Sequence, residues 1–266
     1  MDIIIKDQEF ITEQFNNFTL DTLPHTILLV GKFGCGKHFL VNQLCSKLSL
    51  GLEQIDDTLN LELLNKINEL NIPTVCLFNG SAITIKEESV LLKFIEEPKS
   101  NIFNIILCES AVNMLDTIIN RCTVYRFKDY TINYLKSILE DDYQDFIYTI
   151  ADTPGKLKTW NINSIPAVKD FCNKILQAIP KLSLTNILTA VDKIDFKHED
   201  NSKYNFELFI TVLLYCAKEN VILNIPNAFN VYKLTNSFYN NIYITNLNKV
   251  YLFENYLYNL KQLVWN

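Results

Sequence analysis

The residues that could do chemistry cluster early, in Gly31-Lys32-Phe33-Gly34-Cys35-Gly36-Lys37-His38, which holds three of the chain's six glycines. A glycine-rich loop ending in lysine can turn its backbone N–H groups towards phosphate oxygens, while the ammonium reaches the β/γ positions. Gly31, Gly34, Gly36, Lys37 and the adjoining His38 are therefore candidates for binding a nucleotide. The position after the lysine should carry a Ser or Thr hydroxyl for Mg²⁺, and His38 stands there instead. An imidazole can ligate a metal, but no second His or Cys is placed to help it. His38 reads as a polar residue on the first turn of a helix.

Hydrolysis would also need an Asp to hold Mg²⁺ and a Glu to polarise water at the end of another strand. The candidate strand ends Val75-Cys76-Leu77-Phe78-Asn79-Gly80, so Phe78 and Asn79 stand in the acids' places. Phenylalanine binds no metal, and asparagine has no charge with which to activate water. A rival acidic pair, Asp56-Asp57, follows a strand interrupted by Glu53 and Gln54 and reads as a solvated loop. Hydrolysis by this chain is not expected, nor is Mg²⁺ in its own site.

Of the 24 basic residues, two are arginines, Arg121 and Arg126, standing within six residues of each other. Arg121 lies in Ile118-Ile119-Asn120-Arg121-Cys122, at a helix end entering a strand. Two readings are open. It is an arginine finger offered to a nucleotide on a neighbouring subunit, or a surface arginine favoured by a helix C-terminus. The scarcity of arginine favours the first, because a planar, permanently charged fork is not interchangeable with lysine. Lys156, after Pro154-Gly155, is either a second phosphate contact or a solvated lysine at a helix start.

These groups need a scaffold, and residues 1–128 alternate apolar runs with helical patterns, as an α/β sheet does. Strands are predicted over 26–30, 52–55, 74–78, 102–108 and 123–127. Helices are predicted from Lys37 to about Lys47, with Phe39, Leu40, Leu44 and Leu48 on one face, and from about Leu61 to Leu70. A third runs over 85–96. Thr84 and Glu87 form its capping box, Leu91, Leu92 and Ile95 its buried stripe, and Pro98 its stop. Five strands with crossover helices imply a mostly parallel sheet whose ligand crevice lies at the strands' carboxyl ends, where the glycine loop falls. After Phe127 two or three short helices are expected up to residue 160, interrupted by a turn at Thr153-Pro154-Gly155. Beyond about Ile165 the pattern is helical, with apolar periodicity in 171–178, 205–217 and 248–263. In the last of these, Val250, Phe253, Leu257 and Leu260 recur at helical intervals.

The chain has 266 residues, 48% of them hydrophobic and 20% charged, enough for one large domain or a few small ones with a proper core. A net charge of −6 argues against a nucleic-acid binder acting alone, though not against a subunit lending a few basic groups to a shared channel. The seven cysteines are odd in number, scattered and without a Cys-x-x-Cys pair, so buried reduced thiols are expected. No apolar run approaches the ~18 residues needed to cross a bilayer, and the first residues lack the form of a secretory signal. A soluble, cytoplasmic protein with no membrane partner is expected.

In this order, the pieces resemble the clamp-loader branch of the AAA+ family, and most of all its DNA polymerase III δ′ subunits. The resemblance is carried by Pro24-His25-Thr26-Ile27-Leu28-Leu29-Val30-Gly31, the glycine loop, and Leu91-Leu92-Lys93-Phe94-Ile95-Glu96-Glu97-Pro98. Asn120-Arg121-Cys122 is similar to the family's Ser-Arg-Cys, and Asp152-Thr153-Pro154-Gly155-Lys156 to its lid segment, with Lys156 in the sensor arginine's place. The resemblance is good over about 22–128, fair to about 160 and architectural beyond. It departs from active subunits at His38, Phe78 and Asn79, and at Cys108-Glu109, where a sensor Asn or Thr is usual. A four-cysteine zinc module common in bacterial loaders is absent.

The resemblance implies an AAA+ P-loop domain over 1–128, a helical lid over 129–162 and an all-α collar over 163–266. It implies a non-hydrolysing, δ′-like subunit of a hetero-oligomeric clamp loader in DNA replication, with Arg121 completing a neighbour's ATP site. ATP or ADP is the implied cofactor of the loop. Homologous AAA+ subunits, a sliding clamp and, through the complex, primed DNA are the implied partners, in a bacterial cell or the cytoplasm of a virus-infected host. Two alternatives are a stand-alone P-loop ATPase using His38 or Asp56, and a δ-like scaffold that contacts the clamp.

Overall fold

The computed structural model describes residues 2–55, 59–80, 83–97, 99–111, 114–139, 143–178, 194–195, 204–244 and 248–264. The readings of Asp56, Asp57 and Pro98 lie outside the described residues.

Five strands form the sheet: β1 (Thr26–Val30), β2 (Gly51–Ile55), β3 (Thr74–Asn79), β4 (Ile102–Cys108) and β5 (Thr123–Arg126), in the order β2-β3-β4-β1-β5. Every pairing is parallel. β1 and β4 are buried along their whole length, and their uninterrupted apolar runs suit strands covered on both faces. β2 is an edge strand, and its Leu52, Glu53 and Gln54 are exposed. In a parallel sheet all carboxyl ends share one rim, so Val30, Asn79 and Cys108 end beside one another.

Helix α1 (Glu9–Asn17) precedes the sheet and was not foreseen from the sequence; its buried contacts reduce to Ile11 and Phe15. α2 (Lys37–Leu48) buries Lys37, Leu40, Val41, Leu44 and Cys45. Phe39 and Leu48 are a correction: Phe39 is 50% exposed and Leu48 half-buried, because the buried face is turned towards Lys37 and Val41. α3 (Leu61–Asn68) is capped by Asn60. In α4 (Ile85–Glu96) the capping box is complete: Glu87 N–H donates to Thr84 Oγ1 at 3.4 Å and Thr84 N–H to Glu87 Oε2 at 2.8 Å. Leu91, Phe94 and Ile95 sink into the core formed with Leu28, Phe78, Ile106 and Ile118.

Four short helices follow along the chain: α5 (Asp116–Ile119), α6 (Ile132–Lys136), α7 (Asp145–Ile150) and α8 (Pro154–Thr159). Pro154 and Gly155 were expected in a turn but open α8. A proline at the first helical position has no N–H to lose and its φ is already set for the helix.

The chain divides into two compact units, residues 1–142 with 152–159, and 143–151 with 160–266. The segment 129–162 therefore contributes to both. The second unit is built from α7, α9 (Ile165–Ala178), α10 (Phe206–Ile222), α11 (Ala228–Ile244) and α12 (Lys249–Val264). Phe209 meets Phe253 edge to face, with ring centroids 5.3 Å apart, and Phe238 stacks on Tyr256 at 4.7 Å. Phe253, Leu257 and Leu260 are fully buried, while Val250 is only half-buried. The helical expectation also missed a two-residue parallel pairing between β6 (Ile194–Asp195) and β7 (Tyr204–Asn205), too short to show a period in sequence.

Six of the seven cysteines are buried and Cys122 is half-buried, all as free thiols. Burial pushes the Cys76 thiol up to about 12 and that of Cys108 up to about 11, so both stay protonated and inert near neutral pH.

Candidate functional site

The glycine loop leaves the carboxyl end of β1 and closes onto α2. Gly34 and Gly36 have φ values of 75° and 103°, a left-handed backbone that favours glycine. Gly36 is the N-cap of α2. Gly31 is needed for space: a Cβ there would stand 2.7 Å from Cys35 Sγ and 2.8 Å from Phe127 Cβ. Lys37 is buried, and its ammonium donates to the Gly31 carbonyl and, at 3.0 Å, to that of Lys32.

The segment 152–156 packs directly on this loop. Gly155 N–H donates to the Gly34 carbonyl at 2.9 Å, and Thr153 Oγ1 to that of Phe33 at 2.8 Å. A Cβ on Gly155 would lie 2.4 Å from Gly34 Cα, so the two backbones meet where neither can carry a side chain. Charges reinforce the contact. Lys32 Nζ lies 2.7 Å from Asp152 Oδ2 and 2.6 Å from Asp129 Oδ1, and Lys156 Nζ lies 2.7 Å from Asp152 Oδ1. Burial alone would raise the Asp152 carboxyl, but Lys156 and Lys32 outweigh it and hold it below its ordinary value. Lys156 is thus brought to the loop, with its side chain bound to a carboxylate of its own chain.

Two cavities flank the glycines. One, of about 510 Å³, lies at the carboxyl ends of the strands and is lined by Lys37, His38, Phe78, Asn79, Cys108 and Glu109, among others. The other, of about 490 Å³, has walls of Ile4, Ile5, Tyr130, Tyr134, Ile138 and Pro154. Hydrogen bonds near it tie the N-terminal segment and the glycine loop to residues 128–131. Gln8 exchanges a pair with the Lys128 backbone at 2.9 Å each, Asp7 Oδ2 accepts from Thr131, and Tyr130 O–H donates to the Cys35 carbonyl at 2.6 Å. Glycines, Lys37 and open space on both sides of the loop would fit a nucleotide in outline.

Mg²⁺ does not fit the same way. It asks for hard oxygen ligands in near-octahedral array, and the positions facing Lys37 offer an imidazole, a phenyl ring and a neutral amide. Phe78 is committed to the core, 1% exposed and edge-on to Phe94 with centroids 6.5 Å apart. Glu109 is the cavity's carboxylate, placed after β4 where the sequence reading had only noted a missing sensor.

Arg121 does not line this cavity. It sits in the turn between α5 and β5, 41% exposed. Its Nη1 donates to the Thr117 carbonyl at 2.9 Å, and its Nη2 lies 2.7 Å from Glu96 Oε1 at the end of α4. Sequence reasoning missed Lys32, Asp152 and Glu96. The i,i+4 spacing of Asp152 and Lys156 was a legible signal; the other two pairings join residues far apart in the chain.

With this geometry described, comparisons with known proteins bear on it. A family model described as DNA polymerase III, delta subunit, matches residues 83–131, a stretch that holds α4, β4, α5 and Arg121. No curated protein matches the chain. Among solved structures, a DNA polymerase III gamma-subunit-related protein of Thermotoga maritima is 12% identical, with a TM-score of 0.53, covering 96% of this chain and 99% of its own. A RuvB variant of Thermotoga maritima is 14% identical, with a TM-score of 0.50, covering 79% of this chain and 88% of its own. The chain has the AAA+ fold. At such identities the structural likeness speaks for the fold alone. The family model covers 49 of the 266 residues, and over that stretch the chain is similar to the family it describes.

Proposed function

We propose that this chain is a non-hydrolysing, δ′-like subunit of a sliding-clamp loader, and that Arg121 acts on the ATP of a neighbouring homologous subunit. The observation that carries the reading is a separation within one domain. His38, Phe78 and Asn79 stand where the hydroxyl and the two acids are needed, which leaves Glu109 as the carboxylate lining the cavity, whereas the exposed arginine stands outside it. A guanidinium there has no phosphate of its own to serve and suits a nucleotide presented by another subunit. The helical unit built on α9 to α12 would be the collar that joins the ring, and the loop would hold ATP or ADP without Mg²⁺. Clamp and primed DNA would be met through the assembled complex, in the cytoplasm.

The test is Arg121→Ala in a loader reconstituted with its ATPase subunits. ATP turnover should fall, on the order of 10³-fold, while assembly measured by gel filtration stays intact. Unchanged turnover would sink the finger.

The description of the matching family model favours a second reading, a δ-like platform that contacts the clamp. Tight clamp binding by the chain alone, with Arg121 dispensable for loading, would select it.

A further inference from the structure

Arg121 is held at two points by two different elements. Thr117 belongs to its own short helix α5, but Glu96 closes α4, a helix 12 residues long with its own place in the core. A carbonyl on Nη1 and a carboxylate on Nη2 together set the plane of the guanidinium. Each terminal nitrogen carries a second hydrogen, so this double hold does not use up the fork's donors.

The pair does little for the fold. Its side chains are 41% and 40% exposed, a setting in which an ion pair adds little to stability. What it can do is remove rotational freedom from a long side chain before any phosphate arrives. Charge stabilisation of a phosphoryl group depends on placement, and an error of about 1 Å can cost on the order of 10²-fold in rate.

Resting on the reading that Arg121 serves a neighbour's nucleotide, we infer that Glu96 is the positioning residue for Arg121. The Glu96 carboxylate fixes the guanidinium in the orientation in which it meets the phosphate, and it touches no reacting atom itself.

The test compares Arg121→Ala, Glu96→Ala, Glu96→Gln and the Arg121→Ala/Glu96→Ala double variant in the reconstituted loader. Glu96→Ala should lower kcat on the order of tenfold with KM unchanged, and Glu96→Gln, which keeps an acceptor oxygen, should restore part of that. In the Arg121→Ala background Glu96→Ala should cost nothing more. In the isolated chain, the two arginines give few enough guanidinium resonances for Arg121→Lys to assign them. Glu96→Ala should convert the slowly rotating Arg121 guanidinium to a rapidly averaged one. A slow Arg121→Ala loader with a normal Glu96→Ala loader would overturn the inference and leave the finger standing. So would an equal Glu96→Ala loss in both backgrounds, or guanidinium dynamics indifferent to Glu96. If Arg121→Ala itself changes nothing, the proposed function falls and the inference with it.

Discussion

The glycine loop and the Arg121 corner are both charged turns at helix ends of the same domain, yet their charges point in opposite directions. At the loop, the Lys37 ammonium is buried against backbone carbonyls, and Lys32 and Lys156 converge on Asp152. Backbone meets backbone at Gly34 and Gly155. At the corner, one arginine is held by a carbonyl and a carboxylate and stays 41% exposed. The first arrangement satisfies its charges internally; the second orients a charge that still faces outwards. On the proposed reading, the glycine loop persists as a built and packed element while Arg121 is the group that acts.

The comparison breaks most readily on rates. Arg121→Ala should slow the reconstituted loader on the order of 10³-fold, whereas Lys37→Ala in the same subunit should leave turnover within about twofold, since on the proposed reading this loop hydrolyses nothing. Steady-state ATPase assays decide it, and equal losses would make the two regions one machine.

The next effect concerns the packing of the loop. Gly155→Ala places a methyl 2.4 Å from Gly34 Cα, where backbone must shift. A loss of about 2–3 kcal/mol is expected in urea unfolding. Glu96→Ala, by contrast, should cost at most about 1 kcal/mol in the same experiment.

Smaller still is the acid response of the clasp. The folded Asp152 carboxyl lies below its ordinary value of 3.8, so its contribution is full above that value and is lost as pH falls through the lower folded one. Asp152→Asn should remove this part of the acid dependence and lower neutral-pH stability on the order of 1 kcal/mol after solvent screening. Thermal melts of both proteins from pH 7 to pH 2 would show it. Parallel curves would mean that the lysines do not depend on Asp152.

The smallest expected effect is none. Nucleotide affinity measured by titration calorimetry should be the same with Mg²⁺ and with EDTA, because His38 and Asn79 supply no anionic oxygen. A tenfold loss in EDTA would return a metal to the site through Glu109 and restore the loop to catalysis.

Much of this was legible before any coordinates. Each of the five strands falls within a residue of its expected bounds; for β1, β3 and β4 the reason is that buried parallel strands write nearly continuous apolar runs. The Thr84–Glu87 box marked the start of α4 for an equally local reason. Phe39 was misassigned because a helical stripe gives a period but not its phase. Only the partner surface shows that Lys37 and Val41, not Phe39 and Leu48, face inwards. Helix α1 went unseen because its buried contacts reduce to Ile11 and Phe15, too few to mark a period.

By itself, the sequence determined the glycine turn, its missing hydroxyl and acids, the order of strands along the chain and the rarity of arginine. All of these are properties of residue type and near-neighbour spacing. Tertiary structure alone decided that Asp152 would lie between Lys32 and Lys156, that Gly155 would seat on Gly34, and that Glu96 would take hold of Arg121. Lys32 with Asp152 and Glu96 with Arg121 join residues 120 and 25 positions apart, and no local preference encodes such a meeting. It follows from the sheet, which brings the chain back to the same rim after each crossover.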